Sequence, residues 1–155
     1  MRVDSASRRI SARPEAVYAA FCAAGAMERW LPPAHMTGKM IHFDFRESGS
    51  YRMRLTYRDP SGGSGKSTQD SDDVQVRLVR LDRDRRIEQE VVFESGDPAF
   101  SGVMRMVWTF EPDHAGTLVT IRAENVPPGI RPEDHEAGLN SSLANLAAFV
   151  EAEDR

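Results

Sequence analysis

Hydrophobic and polar residues alternate along this chain with two different periods, and the switches between them mark its elements. Residues 2–10, RVDSASRRI, are predicted to form an opening strand. Ser11-Ala12-Arg13-Pro14-Glu15 then reads as a helix start, with Ser11 placed to cap it and Pro14 and Glu15 suited to its first turn. Val17, Tyr18, Phe21 and Cys22 follow at helical spacing. Gly25 is expected to break that helix. Ala26–Leu31 should form a second short turn ending at Pro32-Pro33, beyond which a helix cannot continue.

After His35 the period becomes two. Ile41, Phe43 and Phe45 alternate with His42, Asp44 and Arg46, Glu47-Ser48-Gly49-Ser50 turns the chain, and Tyr51, Met53, Leu55 and Tyr57 alternate with arginines and Thr56. That is a β-hairpin with one dry and one charged face. Residues 59–73 contain no apolar residue and read as a long mobile loop within the domain. Val74, Val76 and Leu78 resume the pattern; Ile87, Gln89, Val91 and Phe93 continue it opposite Glu88, Glu90 and Glu94. Ser95-Gly96-Asp97-Pro98 is expected to turn the chain. Met104, Met106, Trp108 and Phe110 line the next strand, and Val119, Ile121 and Ala123 the last. Pro132-Glu133-Asp134 opens a long helix whose acidic first turn suits its dipole. Its Leu139, Leu143, Leu146 and Val150 form one apolar stripe, and the only large surface able to cover it is the dry side of the sheet. The expectation is an α+β fold. A curved antiparallel sheet of about seven strands wraps a long C-terminal helix, with two short helices after the first strand and a cavity between sheet and helix.

Composition narrows the function. At 155 residues the chain suits one domain spanning 1–155, and 40% hydrophobic with 28% charged residues excludes a disordered chain. A net charge of −4 argues against a general nucleic-acid binder. The charge is uneven, +5 over residues 1–58 and −9 over the remainder, but the early arginines alternate with apolar residues and belong to a solvated sheet face. No apolar run approaches a membrane span, and MRVDSASRRIS lacks the apolar stretch of a signal peptide. With Cys22 as its single cysteine, the chain is expected in the reducing cytoplasm. A homodimer is the base-rate expectation.

Candidate motifs weigh mostly toward structure. Gly63-Ser64-Gly65-Lys66-Ser67 resembles a phosphate loop, but Pro60 stands where its first glycine belongs and acidic residues, not a helix, follow. His35, His42, His114 and His135 show no metal-ligand spacing and read as solvated; neither a metal nor a cofactor is expected. His35, near the expected cavity mouth, is the exception to keep. Arg77, Glu90 and Arg105 suggest an outer cross-strand charge ladder. Gln89 is unusual, because it sits on the apolar parity between Ile87 and Val91 and needs a partner there. No Ser–His–Asp or Cys–His set is discernible, and Cys22 reads as a packed thiol.

Several segments together resemble a known family: Pro14–Leu31 ending in Glu28-Arg29-Trp30, the hairpin Asp44–Arg52, Trp108-Thr109-Phe110 through Gly116-Thr117, and Glu136-Ala137-Gly138 before the leucine stripe. Their order is similar to the helix-grip fold of the START-like (SRPBCC) superfamily, in particular its AHSA branch, homologues of the activator of the 90-kDa heat-shock protein's ATPase. The chain departs from that pattern at Ser48, where Gly-Gly is usual in the hairpin, and at Leu139, where an aromatic is common. The resemblance implies a hydrophobic ligand cavity. Binding of a small hydrophobic or aromatic molecule, without catalysis, is the favoured expectation. Its lining is expected from Trp30, His35, Met53, Tyr57, Gln89, Phe93, Met106, Trp108, Leu139 and Leu143. Alternatives are a cyclase- or hydrolase-type enzyme using the same cavity, with Gln89, Tyr57 or His35 as acid, base or orienter, and a co-chaperone-like interaction module.

Overall fold

In the computed structural model, which describes residues 1–58, 71–92, 98–100 and 102–153, the segments of period two all join one antiparallel sheet. Its strands are β1 (Val3–Ile10), β2 (Met36–Phe43), β3 (Ser50–Tyr57), β4 (Ser71–Asp82), β5 (Arg86–Val92), β6 (Val103–Asp113) and β7 (Gly116–Glu124). They lie in the order β1-β7-β6-β5-β4-β3-β2, so β2 to β7 form a meander and β1 returns beside β7. The helices α1 (Pro14–Ala19) and α2 (Ala24–Trp30) join the two edge strands, and α3 (Pro132–Glu153) covers the curved inner face. Leu139, Leu143, Leu146 and Val150 are all buried there, which is the predicted stripe meeting the predicted dry side. The helix-grip α+β fold follows. Among the described residues no helix is long and apolar enough to cross a membrane.

Local departures from expectation have physical causes. Ser11 does not cap α1; Arg13 holds that position without a side-chain bond, while the Ser11 amide donates to the Glu151 carboxylate at 2.9 Å and ties β1 to the end of α3. Gly25 breaks nothing, because it lies inside the first turn of α2; the break falls earlier, where Ala23 turns extended. A bulge between Met40 and His42 reverses the side-chain parity of β2, so Ile41 is 47% exposed instead of inward, and the strand ends before Phe45. Ser71, Asp72 and Asp73 belong to β4, not to a loop, and Asp73 meets Arg52 and Arg54, each at 2.9 Å. The phosphate-loop look-alike at 63–67 and the turn residues 95–97 lie outside the described residues.

The β2–β3 turn shows why glycine is wanted in it. Ser48 holds φ +67°, the left-handed region, and a Cβ on Gly49 would stand 2.2 Å from the Asp44 carbonyl oxygen. The turn is pinned to β4 by the Ser48 amide donating to the Leu78 carbonyl at 2.9 Å and the Leu78 amide to the Gly49 carbonyl at 2.8 Å. On the outer face Arg77, Glu90 and Arg105 stand opposite one another in register as expected, with Arg77 3.0 Å from Glu90, while the Arg105 guanidinium forms its ion pair with Glu88. Glu88, read as a wet residue, is buried between Arg105 and Arg86.

Candidate functional site

Strand register sorts the inner face into rows of paired side chains. One row runs Phe43, Tyr51, Val76, Val91 and Met104; the next runs Leu78, Gln89, Met106, Ala123 and Asp4; a third joins Leu81, Ile87, Trp108, Ile121 and Ala6. Near α1 and α2 this face is sealed by aromatic rings. Phe21 packs edge-on against Trp30 at 4.9 Å and Trp108 at 5.0 Å, and Tyr18 against Phe110 at 6.1 Å. All five are buried.

The middle and the β2–β4 corner differ. Met106, an inward residue of the central row, is only partly buried, although its row neighbours Gln89 and Ala123 are buried. Met40, Leu55 and Val74, inward residues paired beside or next to Met53, are also partly buried. The inner face is therefore closed by rings on one side, while Met106 and the β2–β4 corner keep some exposed surface.

Polar groups sit at this boundary. Gln89 hydrogen-bonds the Tyr51 hydroxyl across the inner face; burial drives the Tyr51 phenol upward, the bond from Gln89 opposes it, and the group stays protonated at any ordinary pH. The indole Nε1 of Trp108 is buried without a hydrogen-bond partner, whereas that of Trp30 donates to the Ala20 carbonyl at 2.9 Å.

Two open clefts flank this interior. One, about 510 Å³, lies between α3 and the edge strand β2, lined by Pro32, Met36, Gly38, Arg58, Asn145 and Phe149 among others. Gly38 is its back wall, since a Cβ there would lie 2.9 Å from the Met53 sulfur and 2.6 Å from Pro32. Met53 thus separates this cleft from the Tyr51–Gln89 pair. The other, about 550 Å³, lies among charged groups of the β4–β5 turn and the start of α1, away from the inner face. We take the first as the one that bears on the interior.

Of the ten residues expected to line the cavity, Met53, Gln89, Met106, Trp108, Leu139 and Leu143 face the interior of sheet and α3, and Trp30 stands in the aromatic seal. Tyr57 is half-buried at the end of β3 with the ring of exposed His35 5.7 Å away, so these two belong to the rim. Phe93 lies outside the described residues. Sequence reasoning passed over Tyr51 and Met40; the parity of Tyr51 with Met53 signalled the first, but the bulge hid the second. Cys22 is exposed, not packed, and its thiol is pushed up by partial burial. His135 is not solvated: its Nδ1 lies 2.7 Å from the Asp4 carboxylate, joining α3 to β1.

A curved antiparallel sheet gripping a long C-terminal helix, with short helices after the first strand, defines the helix-grip class of proteins. Within it, the model of the family described as "Activator of Hsp90 ATPase homolog 1-like protein" matches residues 11–151. The chain belongs to that family. A crystal structure of a protein from Chromobacterium violaceum is 30% identical, with 96% of each chain covered and a TM-score of 0.82. An AHSA1-like protein from Aeromonas hydrophila, at 19% identity, covers 99% of this chain and 94% of its own with a TM-score of 0.76. A crystal structure of a protein from Nitrosomonas europaea, at 16% identity, covers 97% of this chain and 95% of its own with a TM-score of 0.75. No curated protein matches the chain.

Proposed function

We propose that the protein is a receptor for a small apolar or aromatic molecule, taken up between the sheet and α3 without chemical conversion. The observation that carries this reading is Met106, an inward residue in the central row that is only partly buried while Trp108, two positions along the strand, is fully enclosed. Met106 stands at that point with Met104 two positions along the same strand, and flexible thioethers adapt to apolar shapes. Burying about 250 Å² of ligand at ~25 cal/mol/Å² yields roughly 6 kcal/mol before ordering costs, so micromolar binding is the expected limit.

The convergence of Tyr51 and Gln89 favours an enzyme as the second reading. Catalysis by proton abstraction would need a group that ionises near neutral pH, and burial holds the Tyr51 phenol well above that. The pair serves better to orient a ligand. The family's name brings ATPase stimulation as a third reading, which an ATPase assay with the 90-kDa heat-shock protein decides. The direct test is native mass spectrometry after gentle purification, followed by thermal shift against a library of lipids and small aromatics. A bound small molecule, or a saturable rise in Tm, is expected. A uniformly empty protein with no shift across the library overturns the proposal.

A further inference from the structure

Among the described residues, one buried side-chain donor is left unmet by the fold. Trp108 is 3% exposed, and its Nε1 has no acceptor within reach. Its surroundings are the rings of Phe21 and Trp30, at 5.0 and 5.9 Å, and the paired side chains of Ile87 and Ile121. Gln89 and Tyr51 hydrogen-bond each other, and among the described residues the buried side-chain polar atom left without a partner is a donor, so the missing group is an acceptor. Buried polar groups are almost always satisfied, and one that is not calls for an explanation.

We infer that Trp108 Nε1 is the hydrogen-bond donor to the bound ligand, and that this ligand is a neutral apolar molecule carrying a carbonyl oxygen. The inference rests on the receptor reading above. Neutrality follows from the neighbours. Ile87, Gln89, Met106 and Ile121, the inward side chains paired with Trp108 or next to it along the sheet, carry no charge. The cations of the neighbouring row, Arg2 and His135, are already taken up by Asp4, so a carboxylate beside Trp108 would be a buried anion that none of these inward neighbours offsets. Access follows from Met106. It lies two residues from Trp108 on the same face, about 7 Å along the strand, and it is the partly buried member of its row. Entry from the side of Met106 is part of the inference, the aromatic seal closing the other side of Trp108.

The test compares three probes of nearly one shape: acetophenone, α-methylstyrene, which replaces the carbonyl oxygen with a methylene, and benzoate, which is anionic. The readout is the indole ¹H–¹⁵N resonance of Trp108, assigned by its loss in Trp108→Phe, together with affinities from the titration. The expected result is a downfield shift with acetophenone, binding about 10-fold tighter than α-methylstyrene, and no binding of benzoate. Trp108→Phe should bind the two neutral probes alike. If that variant does not fold, the comparison of probes on the wild-type protein still decides. Equal binding of both neutral probes with an unmoved indole overturns this inference and leaves the receptor reading standing. Benzoate binding best overturns the neutral class. Binding of none of them overturns this inference, while the receptor reading stands or falls on the library screen.

Discussion

Removing the amide that meets the Tyr51 hydroxyl should expose how the interior is held. In Gln89→Leu the Tyr51 oxygen keeps its place, since the ring is 3% exposed and cannot swing to water. An unmet buried hydroxyl costs about 1–3 kcal/mol, partly offset by the extra apolar contact of the leucine. Tyr51→Phe leaves the Gln89 amide in the same position, with a similar cost. The double variant Tyr51→Phe/Gln89→Leu removes both partners together. Its destabilisation should fall short of the sum of the single changes by ~1–2 kcal/mol, the coupling expected for groups in contact. Urea unfolding measures it, with m held common to all four proteins. For a chain of this size each kcal/mol moves Tm by about 2–4 °C, so heat gives an independent reading. Additivity within ~0.3 kcal/mol would refute the reasoning, because two groups that do not meet show no coupling.

Other perturbations probe the frame. Gly49→Ala places a Cβ 2.2 Å from the Asp44 carbonyl, against backbone and not a flexible side chain, so the β2–β3 turn must shift; thermal unfolding should show a loss of ~2–4 kcal/mol, and an unchanged Tm would contradict the turn geometry. Acid should weaken the fold through particular carboxylates. The Arg2 guanidinium and the His135 ring hold Asp4 below the ordinary carboxylate range, Arg54 and Arg52 do the same for Asp73, and at Glu88 the upward push of burial is outweighed by Arg105 and Arg86. Lowered folded values mean stability that is present above about pH 4 and lost as pH falls through them. The urea midpoint should drop on that limb, and Asp4→Asn should flatten it; a midpoint indifferent to pH between about 5 and 2 would contradict the pairings. Cys22 should react with a disulfide reagent in the folded protein, being exposed, yet more slowly at pH 7 than a free thiol, because partial burial raises it and its Sγ lies 3.4 Å from the Tyr18 carbonyl. A faster reaction than that of a free thiol would contradict this.

Much of the architecture was legible because it depends on period alone. Strands of period two and a helix with one leucine stripe have few ways to hide their apolar faces, and Leu139, Leu143, Met53, Gln89 and Trp108 all face inward as their parity required. What escaped were features set by single extra residues or by distant partners. The bulge after Met40 turned Ile41 outward, a change of register that no alternation pattern announces. Glu88 has the parity of a solvated residue, and only the convergence of Arg86 and Arg105 from β5 and β6 allows its burial. Asp4 and His135 lie at opposite ends of the chain and meet only because α3 returns to β1. The partial exposure of Met106 is equally invisible in sequence, since a methionine on a dry face reads the same whether or not its neighbours cover it.

Methyl NMR of the methionines tests the central claim most directly, because seven such methyls are distributed over the chain and Met106 stands at the point where the inner face is partly exposed. On titration with a small neutral aromatic such as acetophenone, the ε-methyl signal of Met106 should move along a saturation curve, while Met1 and the α2 residue Met27 hold still. A stationary Met106 signal, or a response confined to Met36 in the outer cleft, would contradict uptake between the sheet and α3.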